Sequence, residues 1–174
     1  MRVVFLDFDG VLNNSSSMFT NTYMPGALAE RLINANPDPV SVKLLDYLLI
    51  HTDARIVVSS SWRNGCRSHL ELQEILRDAF KLTHWDRVIG MTQYSTRVIR
   101  GVEIDNWVQA HPEITHYVII DDDSDMMDHQ QEHFVHTNHD HGFKIKDCEQ
   151  AFACLGLDFV ESFQKPEIPL FERL

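Results

Sequence analysis

Val3-Val4-Phe5-Leu6-Asp7-Phe8-Asp9-Gly10-Val11-Leu12 is the stretch around which this chain is organised. A short apolar run that begins with β-branched residues reads as a buried strand, and here it ends on two aspartates and a glycine. Residues two apart in an extended strand point the same way, so the carboxylates of Asp7 and Asp9 are expected to face one spot beyond the sheet. Like charges held that close need a cation or a shared proton, and the pair suits a magnesium ion better than a structural salt bridge. Gly10 permits a sharp exit from the strand, where a side chain would restrict the backbone.

Working outward, strands and helices alternate. Val42, Leu45, Leu48 and Leu49 recur at helical spacing from Ser41, with Ser41 or Asp38 as the cap and an end near His51. Arg55–Ser59 reads as a second buried strand, and Ser60–Gly65 as a polar loop. Leu70–Phe80 is helical, Arg87–Gly90 a third strand, Met91–Arg100 a loop, and Gly101–Ala110 a helix stopped before Pro112. His116–Ile120 is a strand that runs straight into Asp121-Asp122-Asp123-Ser124-Asp125. His133–His136 makes a last strand, and Asp147–Leu155 a helix with Asp147 as its cap. Asn13–Ser17 reads as a loop, Ala27–Ile33 as a short helix, and residues 13–40 as a small flap or linker region. Residues 156–174 form a tail that packs on the core without regular structure throughout.

This alternation predicts an α/β fold: one domain over residues 1–174, a Rossmann-like three-layer sandwich around a mainly parallel sheet. In such sheets ligands bind beyond the carboxyl ends of the strands, where the strand order reverses. Three strands end in polar or acidic groups, namely Asp7 and Asp9, Ser59 and Ser60, and Asp121 and Asp122, and a parallel sheet brings them to one edge. The net charge of −11 argues against broad, sequence-independent nucleic-acid binding, which needs clustered Lys and Arg, though a local basic groove is compatible with it. Three unpatterned cysteines point to a reducing, cytoplasmic setting, and the absence of an apolar leader or an 18-residue apolar run predicts neither secretion nor a membrane span.

Together these features resemble the haloacid dehalogenase (HAD) superfamily of phosphohydrolases. The resemblance runs from Val3 to about Asp125: Asp7-Phe8-Asp9-Gly10-Val11-Leu12 is similar to its first motif, the strand-ending Ser59 of Ile-Val-Val-Ser-Ser-Ser-Trp-Arg to its second, and Val118–Asp125 to its fourth. More narrowly, Ser59-Ser60-Ser61-Trp62-Arg63 and Arg100–Trp107 look like the small HAD domains of nucleic-acid end-repair proteins. The resemblance implies a Mg2+-dependent phosphatase in which Asp7 attacks phosphorus to form an aspartyl phosphate and Asp9 serves as acid and base. It implies Mg2+ held by Asp7, the Asp9 carbonyl and Asp121, with Asp122 or Asp125 assisting, and phosphate held by Ser59 or Ser60, Gly10 and a cation.

The family's usual lysine before the fourth motif is missing, since no lysine lies between Lys81 and Lys144. Arg100 is the chosen replacement, with Arg97 and Arg63 as competitors. There is no room for a large cap domain, so the open site suits a bulky phosphorylated substrate, a nucleic-acid end or a phosphoprotein. Two other readings are a receiver-like module and a catalytically silent phosphate-binding module. The intact acidic set and Asp9, two residues after Asp7, favour turnover. The His-rich segment 129–141 fits no zinc spacing and reads as a solvated loop. Trp62, Trp85 and Trp107 read as core or rim packing.

Overall fold

A computed structural model, which describes residues 1–21, 36–94 and 99–163, places the opening stretch at the centre of a five-stranded sheet. β1 (Arg2–Leu6) lies between β2 (Arg55–Val58) and β4 (His116–Asp121), with β3 (Val88–Met91) and β5 (Phe134–His136) at the edges. The order is β3-β2-β1-β4-β5 and every pairing is parallel. The direction of winding therefore reverses at β1, and the crevice above it is where such a sheet takes its ligand.

Strand alternation divides the core in two. Val4, Leu6, Ile56, Val58, Val118 and Ile120 point to one face, and Val3, Phe5, Val57 and Ile119 to the other. The first face is covered by three helices, α2 (Pro39–Thr52), α3 (His69–Asp78) and α5 (Ile145–Cys154). The second is covered by α4 (Arg100–Ala110), through Ile104, Trp107 and Val108. Helices on both faces of a parallel sheet make the expected three layers, with no large cap.

The register sets up the site. Leu6 pairs with Val58 on one side and Ile120 on the other, so Asp7, Ser59 and Asp121 come level one residue later. The ladder continues just past the strands: Asp7 N donates to Ile120 O at 3.0 Å, and Ser59 N to Leu6 O at 2.9 Å.

Several local expectations need correction. Asn13–Ser17 is not a plain loop, because α1 (Ser15–Asn21) begins within it. Asn14 caps that helix: Ser17 N donates to Asn14 Oδ1 at 2.8 Å while Asn14 N donates to Ser17 Oγ at 3.0 Å. Asp38, not Ser41, caps α2, accepting from Val40 N at 3.0 Å with Pro39 at the first helical position. α5 starts at Ile145; Asp147 sits in its first turn and accepts from Lys144 N at 2.8 Å, so it closes the cap from inside the helix. The tail holds a short helix, α6 (Phe159–Ser162), whose Phe159 packs on Phe152 at 5.3 Å between ring centroids. The helix expected over Ala27–Ile33, much of the expected flap, and residues 164–174 lie outside the described residues. No disulfide joins Cys66, Cys148 and Cys154. Among the described residues no helix is long and apolar enough to cross a membrane.

Candidate active site

The three strand ends meet above β1. Asp7, Asp121 and Asp122 each offer a carboxylate oxygen, and these atoms lie within 4.8 Å of one another. Asp7 and Asp121 are buried and Asp122 is half-buried. Arg100 joins them: its Nη1 donates to Asp7 Oδ1 and to Asp121 Oδ2, both at 2.8 Å. Among the described residues no other hydrogen-bond partner holds the rest of this guanidinium fork.

Arg100 reaches that position because the start of α4 is fastened to the loop after β4. Arg100 N donates to Asp125 Oδ2 at 3.0 Å, and Gly101 N to Asp125 O at 3.2 Å. Gln130 closes the other side, donating to Gly101 O at 2.8 Å and accepting from Met127 N at 2.9 Å. A Cβ on Gly101 would stand 2.6 Å from Gln130 Oε1, so the close approach requires glycine. Asp125 is therefore engaged as a helix clamp and stands outside the acidic cluster. Arg97 lies outside the described residues.

Asp9 also stands apart from the cluster. β1 ends at Leu6 and the chain then turns, with Gly10 at φ +70°, and the Asp9 carboxylate is not one of the three clustered ones. The exposed Asp9 carboxylate is held by Asn13 Nδ2 at 2.8 Å and by the Trp62 indole N–H at 2.9 Å. Gly10 packs against Asp122: a Cβ there would fall 2.3 Å from Asp122 Cγ. Its carbonyl accepts from Thr137 Oγ1 at 2.9 Å, which ties the turn to the end of β5.

Of the two candidate serines, Ser60 accepts from Trp62 N at 3.3 Å, and its hydroxyl helps to pull the Asp7 pKa down. Ser59 Oγ is fully buried and has no partner among the described residues. Such an orphan is costly unless a ligand completes it, at about 1–3 kcal/mol. Arg63 makes no hydrogen bond to the clustered acids. It is buried, donates to the Ser59 and Ser60 carbonyls, and pairs with the equally buried Glu103 on α4. The two sequence stretches that carry the narrower resemblance thus meet in one buried ion pair beneath the serine loop.

Burial dominates the electrostatics. It raises the Asp7 carboxyl above the usual range although Arg100 pulls it back. Asp121 is pushed up to about 8, first by burial and then by the neighbouring Asp7 charge. For Arg100 burial alone would lower the pKa, but Asp121 and Asp7 outweigh it and raise the value. One guanidinium does not neutralise three clustered carboxylates, so the site is short of positive charge. An all-oxygen donor set with that deficit suits Mg2+, which needs few protein ligands because it keeps several waters.

Some functional groups were not evident from residue type. Trp62 packs on Phe8 and Phe80, at 5.8 and 5.4 Å between centroids, as expected of a rim residue, but its N–H is also the tether of Asp9. Two members of the His-rich segment border the site. His139 Nδ1 lies 2.7 Å from Asp122 Oδ2, and His136 Nε2 2.8 Å from the Asp122 carbonyl. Hydrogen bonding to Asp122 raises the His139 pKa. Asn13, four residues after Asp9, signals only that polar groups crowd the strand end, whereas Asp122 is expected from the sequence as an assisting ligand.

Residues 3–148 match the family model described as "HAD domain in Swiss Army Knife RNA repair proteins". No curated protein and no solved structure gives a significant match to the chain.

Proposed function

The chain belongs to the family of HAD domains in Swiss Army Knife RNA repair proteins, and from that premise we propose that it is a Mg2+-dependent phosphomonoesterase acting on phosphorylated RNA ends through an aspartyl phosphate on Asp7. The observation that carries this reading is Arg100 Nη1 spanning Asp7 and Asp121 at 2.8 Å each, with the rest of its fork directed to no other described residue. The guanidinium orients the attacking carboxylate and presents two further N–H edges to a phosphate, a geometry that arginine supports better than lysine.

In the first half-reaction an Asp7 oxygen bonds to phosphorus, the bond from phosphorus to the ester oxygen breaks, and Asp9 gives its proton to the leaving hydroxyl. In the second, water attacks the acyl phosphate while Asp9 takes its proton, releasing inorganic phosphate and restoring Asp7. Asn13 and Trp62 each donate to the Asp9 carboxylate and so fix its orientation for this role. Ser60, the Ser59 hydroxyl and the amides at the turn around Gly10 would bind phosphate oxygens. Mg2+, held by Asp7, Asp121, Asp122 and the Asp9 carbonyl, would supply positive charge that keeps the buried carboxylates ionised and offsets the repulsion between nucleophile and phosphate. The separately tethered Asp9 supports turnover over a receiver-like role, because a turnover enzyme needs an acid/base beside its phosphoacceptor.

The test is hydrolysis of p-nitrophenyl phosphate with Mg2+ and with excess chelator. Wild-type protein should turn over only with the metal, and Asp7→Asn should lose at least about 1000-fold, as expected for removal of a nucleophile. Metal-independent turnover, or an active Asp7→Asn, would overturn the mechanism. RNA oligonucleotides phosphorylated at the 3′ or 5′ end, compared with phosphopeptides, then test the substrate class.

A further inference from the structure

The carboxyl ends of β2 and β3 hold a cavity of about 490 Å3 next to the phosphate site. Arg63 links it to the serine loop. Arg63, which lines it, donates to the Ser59 and Ser60 carbonyls, and Thr92 continues the β2–β3 ladder by donating to Val58 O at 2.9 Å. Thr92 therefore lies beside Ser59, which lies beside Asp7. With strands about 4.8 Å apart, the cavity begins within about 10 Å of the nucleophile, so a ribose bearing the attacked phosphate would bridge the gap.

The cavity's chemistry fits a nucleobase. Tyr94 lies at its edge and is 53% exposed, although it is a large aromatic side chain. The Arg63 guanidinium supports its ring 5.5 Å from the centroid, and Arg63 is itself pinned by Glu103. One face of the phenol ring is thus buttressed while the side chain stays accessible for stacking. Asn64 and Gln93, also lining the cavity, are exposed and carry amide groups able to donate to and accept from a base edge.

Charge decides the direction of the strand. In a chain of net charge −11, Arg63 is the only charged residue lining this cavity among the described residues. The neighbouring cavity of about 510 Å3, beyond Trp62, carries Glu71, Glu74 and Asp78 against a single cation, Arg67, which pairs with Glu71, and this acidic excess would repel a phosphodiester. We propose that the β2–β3 cavity binds the terminal nucleoside of the phosphorylated RNA end, with Tyr94 stacking on the base and Asn64 and Gln93 contacting its edge. This rests on the RNA-end reading above and gives it a specificity site outside the catalytic groups.

Binding and turnover are measured separately. In an Asp7→Asn background with Mg2+, fluorescence anisotropy with a labelled, 3′- or 5′-phosphorylated RNA hexamer should show at least about fivefold weaker binding for Tyr94→Ala, the lower end expected for loss of one stacking contact. Tyr94→Phe, which keeps the ring, should bind like the parent. In active protein, Tyr94→Ala should lower kcat/KM for the RNA end by a similar factor and leave glycerol phosphate, which has no ring, unchanged. Asn64→Ala with Gln93→Ala should alter the preference among the four terminal bases.

Equal RNA binding with and without the Tyr94 ring overturns the proposal, as does a parallel loss on glycerol phosphate. A protein that hydrolyses p-nitrophenyl phosphate but neither binds nor cleaves RNA ends, or that prefers phosphopeptides, also overturns it and leaves the phosphatase mechanism standing. Ring-dependent RNA binding in a protein that turns over nothing would support the base site while overturning the catalytic reading.

Discussion

Asp121→Asn should make the metal-free protein more stable at neutral and alkaline pH. The Asp121 carboxyl is fully buried, and burial together with the Asp7 charge pushes its pKa up to about 8, far above the usual carboxylate range. A carboxyl whose pKa is higher in the folded than in the unfolded state stabilises the fold while it is protonated. That contribution is complete below the unfolded value, near 4, and is lost as pH rises toward 8. Within this window one proton's difference between the two states costs about 1.4 kcal/mol per pH unit, so between pH 5 and pH 7 the wild type should lose roughly 3 kcal/mol that the variant does not. The amide introduced at this position retains an oxygen for the Asp123 N–H, which Asp121 Oδ1 now accepts at 2.9 Å, but it gives up the charge toward Arg100, and that moderates the gain. Urea unfolding in chelator at pH 5, 6, 7 and 8 measures the difference between wild type and variant, which cancels the histidines common to both. Added Mg2+ should restore wild-type stability at pH 7 to 8 and leave the variant nearly unmoved. A difference that stays flat across this range, or one that favours the wild type more as pH rises, would refute the claim that Asp121 is held against its charge.

Three further outcomes test other parts of the site. Trp62→Phe should lower kcat by about tenfold with KM little changed, because Asp9 loses its indole tether while the ring packing remains; an unchanged kcat would remove Trp62 from the machinery. Gly10→Ala should weaken Mg2+ affinity by at least about tenfold in calorimetric titration, since the new Cβ would displace Asp122 and the residue must hold φ +70°; unaltered affinity would show that Asp122 is dispensable. Glu103→Gln should cost about 3 kcal/mol in urea unfolding, because it removes the countercharge of the buried Arg63; a cost below about 1 kcal/mol would mean that solvent or another group already screens that pair.

How much of this was legible depends on whether a residue acts through local sequence or through distant packing. Val3–Leu6, Arg55–Val58 and His116–Ile120 were readable as strands because continuous apolar runs bounded by polar residues have few alternatives, and one register then placed Asp7, Ser59 and Asp121 side by side. Arg100 was readable by charge need: a family pattern short of its lysine left few cations, and the structure directs this one to the acids. The shared direction of Asp9 and Asp7 rests on a strand that continues, whereas β1 ends at Leu6 and the chain turns over Asp9–Leu12. Trp62 and the Arg63–Glu103 pair carry no local signature, because their contacts span 53 and 40 residues of sequence. The start of α1 was hidden for a different reason: Asn and Ser serve turns and helix caps equally, and only the reciprocal bonds of Asn14 and Ser17 distinguish the two.

The fastening of α4 to the loop after β4 has a consequence for motion. Arg100 and the acids at 121 and 122 belong to different elements, yet Asp125 and Gln130 make them one mechanical piece. Fluctuations that separate β2 or β3 from the sheet would leave the spacing of cation and carboxylates intact. Opening that spacing instead requires the start of the helix and the loop to come apart together. In hydrogen exchange the amides of Arg100, Gly101 and Asp123 would then share one opening rate as a single cooperative unit.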